Sequence, residues 1–430
     1  MNNCSQKIKY PPKKVSFLAS LNLPNGTTFY LLPAAFCLLD FSFLMPQVQA
    51  QIVPDATLPV NSIVTPSGNT SIIEGGTQAG SNLFHSFQQF SVPTNTEAFF
   101  NNGLDIQNIF TRVTGNSISN IDGLIRANGV ANLFLLNPNG IIFGPNAKLN
   151  IGGSFLASTA NNFKFADGTE FNAKNPQATP LLTVSVPVGL QYGGNAGDII
   201  IQGEGQNFGT NGINGSFSEN LHPLEVNSGN TLAFVGGNVI IDGGILQVPG
   251  GRVEVGGLKG EGTVEMNIDN NSIASLKFPD GVERSDILIT NKAGINTNAS
   301  GGGSITINAQ NLDILEQSLL TTGIESGSEI LNAQAGDIAL NATGSIAINA
   351  SRIDNIVRAN VTGNSGNIKI EATSLSLVNK GSLSNSIFGE GSGGNINIDV
   401  RETVNFDNSI IFSNLAKSGK GNSGAIVINT

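Results

Sequence analysis

Residues 132–159 read NLFLLNPNGIIFGPNAKLNIGGSFLAST, and the fold can be read outward from this stretch. Two short apolar runs, 133–136 and 141–143, flank Asn137-Pro138-Asn139-Gly140, after which Ala147, Leu149 and Ile151 alternate with Lys148 and Asn150. The pattern predicts three strands joined by two corners. The first corner has the residues of a type I turn: Asn at the first position, Pro holding φ at about −65° at the second, and Gly at the fourth. A two-residue hairpin needs positive φ at both central residues, which Pro138 cannot adopt. The element therefore bends the chain between strands instead of folding one strand back on the other.

Related segments extend upstream, from Phe110-Thr111-Arg112-Val113-Thr114-Gly115 through Ile121-Asp122-Gly123, and downstream to the strand 155–159 with its Ser158-Thr159 end. Over this length the chain resembles the N-terminal secretion domain of filamentous haemagglutinin-like exoproteins of two-partner secretion. The signature of that family is an N-P-N-G-I element and, after it, a strand ending in Ser-Thr. Here the element is Asn137, Pro138, Asn139, Gly140 and Ile141. The family often carries an earlier N-P-N-L element as well; the corresponding residues here are Gly115-Asn116-Ser117-Ile118-Ser119-Asn120, without the proline. The resemblance implies recognition in the periplasm by an outer-membrane β-barrel transporter, with residues 137–141 as a secretion motif that shapes the domain more than it touches the transporter. Segments 232–237 and 249–254 also resemble the region C-terminal to the secretion domain in this family.

Composition points to an exported, non-enzymatic chain. Among 430 residues there are 53 Gly and only 12% charged residues, an unusual mixture for a globular enzyme. Lys7, Lys9, Lys13 and Lys14 precede an apolar run over 29–44, and Val48-Gln49-Ala50 offers small residues for cleavage before Gln51 by signal peptidase. A membrane anchor is the competing reading, but Pro33 and Asp40 interrupt a run already shorter than the roughly 20 residues of a span. Removing 1–50 takes away both cysteines, Cys4 and Cys37, which excludes a disulfide scaffold and thiol catalysis. It also leaves 17 basic and 30 acidic residues, a balance of −13 that disfavours nucleic acid or an anionic membrane as the main partner.

Twelve phenylalanines lie between Phe84 and Phe171, including those of Phe84-His85-Ser86-Phe87 and Glu97-Ala98-Phe99-Phe100. We expect residues 51–190 to form a compact secretion domain whose aromatic side chains seal one end of a longer solenoid. Residues 191–300 continue with Gly/Asn-rich joints between short alternating strands such as 197–201, 237–241 and 252–255, with 203–218 as a surface loop. Over 301–430 a repeat emerges: SITINA, DIALNA, NIKIEA, NINIDV and AIVINT come after glycines 303, 336, 366, 394 and 424, at intervals of 33, 30, 28 and 30 residues. Each unit adds a second alternating pair and a third short segment, so one period is one coil of three strands. The expected fold is all-β: a right-handed parallel β-helix (β-solenoid) with an N-terminal β cap. The last strand, 426–430, opens a further unit, so we expect either a shortened chain or a partner over the last coil.

Catalytic and metal chemistry find little support. His85 sits in an aromatic strand and His222 in a loop with no acid pattern beside it. No Gly-x-Ser-x-Gly elbow and no His or Cys cluster occurs, and no cofactor is expected. Asp198 and Asp337, beside Gly, read as turn formers. Parallel β-helices do host polysaccharide lyases and hydrolases, which is the alternative reading. Such sites gather charge from adjacent coils on one face, whereas Asp313, Asp354 and Asp407 fall at different points of their repeats and Arg352 and Lys369 do not line up with them, so each reads as a solvated charge. The expected activity is that of a secreted or cell-surface exoprotein of a Gram-negative-type envelope, its repeats serving adhesion to a cell-surface or carbohydrate ligand.

Overall fold

The computed structural model describes residues 52–176, 182–206, 222–269, 272–328 and 330–430. The expected signal peptide, 1–50, and most of the expected loop 203–218 lie outside them. Every regular element among the described residues is a strand, and the strands wind into a parallel β-helix with three faces. The stretch that predicted this makes one full turn. Asn132–Leu136 lies on the first face, Ile141–Phe143 on the second and Lys148–Asn150 on the third. Phe155–Ser158 then returns to the first face, where Leu133 pairs with Phe155 and, on the other side, with Ile109.

The C-terminal coils stack in the register that the sequence spacing predicts. On the first face Ile305 pairs with Ile338, Ile338 with Ile368 and Ile368 with Ile396. On the second, Leu312, Ile346, Leu375 and Val404 stack in turn; on the third, Leu320, Ile353, Leu383 and Ile411 do so. These inward aliphatic columns form one continuous core along the molecule, because alternate residues of every strand point inward.

Two sets of side-chain hydrogen bonds hold the coils in place. Within coils, Thr322, Asn355 and Asn385 donate to the carbonyls of Gly303, Gly336 and Gly366, at 2.8, 2.9 and 2.8 Å. Between coils, Asp198 accepts from the Asn238 amide at 2.9 Å and Asp337 from the Asn367 amide at 2.7 Å. The turn-forming aspartates thus cap the backbone of the next coil as well as starting their own.

Antiparallel strands close the N-terminal end. Val53–Pro54 and Thr77–Ala79 pair with Asn82–Gln89, and Ser62–Ser67 pairs with Thr70–Gly75. They occupy the free edge that a first coil would otherwise expose.

Most of the phenylalanines do something other than seal this end. Phe84, Phe110 and Phe134 stand in register on the outward side of the first face, their rings stacked with centroids 5.2 and 4.7 Å apart. Phe163, Phe165 and Phe171 cover them from a second layer. That layer is an antiparallel flank sheet built by two excursions from the coil: Asn162–Phe165, Glu170–Asn172 and Pro187–Gly193 from the first, Glu261–Asp269 and Ser272–Lys277 from the second. Its inner side forms a second apolar core with the helix. An outward phenylalanine on a coil needs such a cover, since the strand is then apolar on both sides.

Candidate functional site

The motif 137–141 lies between two neighbouring coils. Ile141–Phe143 pairs with Ser119–Ile121 on one side and with Ile199–Gln202 on the other. The Gly140 amide donates to the Asn137 carbonyl at 3.1 Å, closing the expected turn. Asn137 is fully buried. Its Nδ2 donates to the Ser117 carbonyl at 3.0 Å and to Ser119 Oγ at 2.9 Å. Its Oδ1 accepts from the amide and the side chain of Asn139, both at 3.0 Å. Asn139 Nδ2 reaches the Gly115 carbonyl at 2.7 Å. The Gly197 amide donates to the Pro138 carbonyl at 3.0 Å, and a Cβ on Gly197 would come within 2.3 Å of the Asn139 backbone, so the next coil fits only because that residue is glycine. Gly140 has φ +126, outside the range comfortable for a side chain. All five motif residues are therefore used internally, and Asn139 alone among them is partly exposed.

A second buried constellation ties the cap to both layers, and sequence reasoning passed over it. Arg112, fully buried, donates through Nε to Ser86 Oγ at 2.9 Å, through Nη2 to Thr57 Oγ1 at 2.8 Å and through Nη1 to the Asn172 carbonyl at 2.7 Å. Its guanidinium also lies 4.4 Å from the centre of the Phe171 ring. Burial pushes Arg112 down to about 10, while Asp55 opposes the shift. Burial acts to raise Asp55, but hydrogen bonds from Thr114, Thr57 and Ser86 outweigh it and hold the carboxyl below its ordinary value. One arginine thus links the cap segment at Thr57, the first coil at Ser86 and the flank sheet at Asn172. The signal available in sequence was the single charge in the strand 108–113, beside Ile109, Phe110 and Val113.

The histidines have the settings their surroundings suggest. His85 is buried, its Nδ1 2.9 Å from Ser62 Oγ, between the rings of Phe87 and Phe100. Burial pushes its imidazole down to about 3, so it is a neutral packing group. His222 is exposed.

One charge, Asp354, departs from the solvated reading, while Lys369 stays exposed beside its partner. Asp354 is buried on the third face, where Arg352 Nη2 lies 2.6 Å away, and burial raises its pKa. Lys369 reaches Asp337 at 2.5 Å from the preceding coil. Asp313 pairs with Ala347 on the second face, Asp354 with Ser384 on the third and Asp407 with Val378 at the end of the second, so these three carboxylates do not converge. A carboxylate pair that sequence reasoning did not single out does face across coils, Glu371 with Asp399. Among the described residues no group of three or more His, Cys, Asp or Glu side chains is placed to hold a metal ion.

No curated protein matches the chain. Among solved structures it is similar to the HMW1 secretion domain from Haemophilus influenzae, at 18% identity and a TM-score of 0.49, covering 87% of this chain and 100% of that one. It is also similar to the filamentous hemagglutinin secretion domain, at 15% identity and a TM-score of 0.39, covering 88% and 99%. The family model of the TPS secretion domain, that of two-partner secretion, matches residues 50–307. That span takes in the cap, the buried turn, the Arg112 network and the whole flank sheet, and the chain belongs to the TPS secretion domain family.

Proposed function

We propose that this chain is exported across a Gram-negative-type envelope, and that after signal peptidase removes residues 1–50 its N-terminal coils are recognised in the periplasm by an outer-membrane β-barrel transporter. The later coils then form outside the cell and serve adhesion or surface interaction. Membership of the TPS secretion domain family carries this reading. In a solenoid each coil is stabilised mainly by its neighbour, so coils added outside to a folded end oppose return of the chain.

Residues 137–141 act in this scheme as the element that seats one coil on the next. The complete hydrogen bonding and burial of Asn137 support shaping over contact, since that side chain has no free polar atom to offer a partner. The test is to replace Asn137 and Pro138 together by alanine and to measure the protein in medium, cell surface and periplasm, with the exposed Leu331→Ser as control. We expect export to fall at least tenfold for the double variant and to hold for the control. The purified double variant should also lose resistance to protease, as a shaping role requires. Wild-type export of the double variant would remove the turn from the mechanism.

A further inference from the structure

The flank sheet stops at Ser272–Lys277, and beyond it the outward side of the first face lines a trough of about 850 Å³. Its floor is a single column of side chains. Asn308 pairs with Asn341, Asn341 with Glu371, Glu371 with Asp399 and Asp399 with Asn429. Amides and carboxylates thus recur at the spacing of neighbouring strands, about 4.8 Å. Some bond to each other: Asn341 Nδ2 donates to Asn308 Oδ1 at 3.2 Å and Asn429 Nδ2 to Asp399 Oδ1 at 2.6 Å. The column passes from exposed Asp399 and Asn429 to buried Asn308 beside the flank sheet.

Arg284 reaches in from the flank side. Its Nη1 donates to the Asn341 carbonyl at 3.4 Å and its guanidinium lies 5.7 Å from the Phe278 ring centre. Its Nε is shielded from the trough, and Arg284 lines the trough through the rest of its guanidinium. Charge in the trough balances, with Lys277, Arg284 and Arg401 against Asp280, Glu371 and Asp399. Guanidinium only donates, carboxylate only accepts and amide does both. Hydroxyl groups satisfy all three, whereas a polyanion would meet Glu371 and Asp399, and a polycation Arg284 and Arg401.

We propose that this trough binds an uncharged linear polysaccharide running along the helix axis, with its hydroxyls on the 308–429 column and one oxygen beside the Arg284 guanidinium. The volume suits a ligand of several sugar units. This proposal names a ligand class for the surface interaction read above, and its test does not depend on export. The purified full chain is titrated calorimetrically with neutral β-1,4- and α-1,4-glucan oligomers of increasing length, and in parallel with sulfated and uronic-acid oligomers. We expect a neutral oligomer to bind more tightly as it lengthens. Asp399→Ala and Arg284→Met should each weaken it at least tenfold with unchanged circular dichroism, and Glu225→Ala on the third face should leave it intact. Binding confined to the charged oligomers, neutral binding that ignores both trough variants, absence of neutral binding at millimolar concentration, or release of shorter products would each overturn the proposal. Cells that export the chain yet fail to adhere while the pure protein binds glucan would count against the adhesion reading and leave the trough standing.

Discussion

One column on the outward side of the first face runs through both halves of the molecule and differs between them. At the N-terminal end it consists of Phe84, Phe110, Phe134 and Leu156, continuing through Ala233 to Glu254. Beyond Glu254 it becomes Thr306, Ala339, Lys369 and Asn397. The inward neighbours barely change: Ile109 and Leu133 in the first half correspond to Ile305 and Ile338 in the second. The coil is therefore the same machine throughout, and the outward residue decides whether a second layer forms over it. Where the column is apolar the chain supplies a flank sheet; beyond Glu254 the face is open to water, and the neighbouring outward column from Asn308 to Asn429 floors the trough.

The strongest way to break this contrast is Phe110→Ala. The ring touches Phe84, Phe134, Phe163 and Phe165, and its loss should cost about 3–5 kcal/mol. Hydrogen exchange should show the flank sheet and the first coils opening while the coils after Ser304 keep their protection; an unperturbed flank would mean that the second layer does not rest on these rings.

Glu254 marks the border between the halves, and its effect depends on pH. Burial raises it to about 7, while Arg252 works against the shift. An acid whose folded pKa exceeds its unfolded value of 4.5 favours folding when protonated. Its contribution is complete below pH 4.5 and is lost as pH rises through about 7, on the order of 3 kcal/mol in all. Buried neutral His85 acts in the opposite sense below pH 6.5, so the readout is the difference between the two proteins: the melting temperature of Glu254→Gln relative to the wild type should rise between pH 5 and pH 8. Equal slopes for the two proteins would show that the border carboxylate is solvated.

Within the single-layer half, Asn385→Ala removes the donor to the Gly366 carbonyl and should destabilise its coil by about 1–3 kcal/mol. Lys369→Ala, in the same column as Phe110 but facing solvent beside Asp337, should change stability by no more than about 0.5 kcal/mol. A large loss at Lys369 would erase the distinction between covered and open halves, and chemical denaturation of the two variants decides it.

The coil was readable because its causes are local. Alternation at period two puts Ile305 and Ile307 inside, and Pro138 forbids a hairpin at the motif. The Gly intervals gave the register of 305, 338, 368 and 396. The apolar runs around Phe110 and Phe134 also carried a signal that the reading of an end seal missed: a strand apolar on both sides needs two covers. The motif's internal use could be suspected from its turn chemistry, but its burial could not, because the residues that enclose it come from 115–121 and 197–201.

By itself the sequence determined a chain that must wind as stacked three-stranded coils, since inward aliphatic side chains and Gly-Asn corners recur at intervals a coil can close. Only the tertiary structure decided which outward residues lie under a second layer, where Arg112 finds its acceptors, and that Asn308 to Asn429 share one trough. The flank sheet joins Gly189 to Glu265, and a pairing so remote along the chain exists only after the coils beneath have stacked and brought both excursions to the same corner.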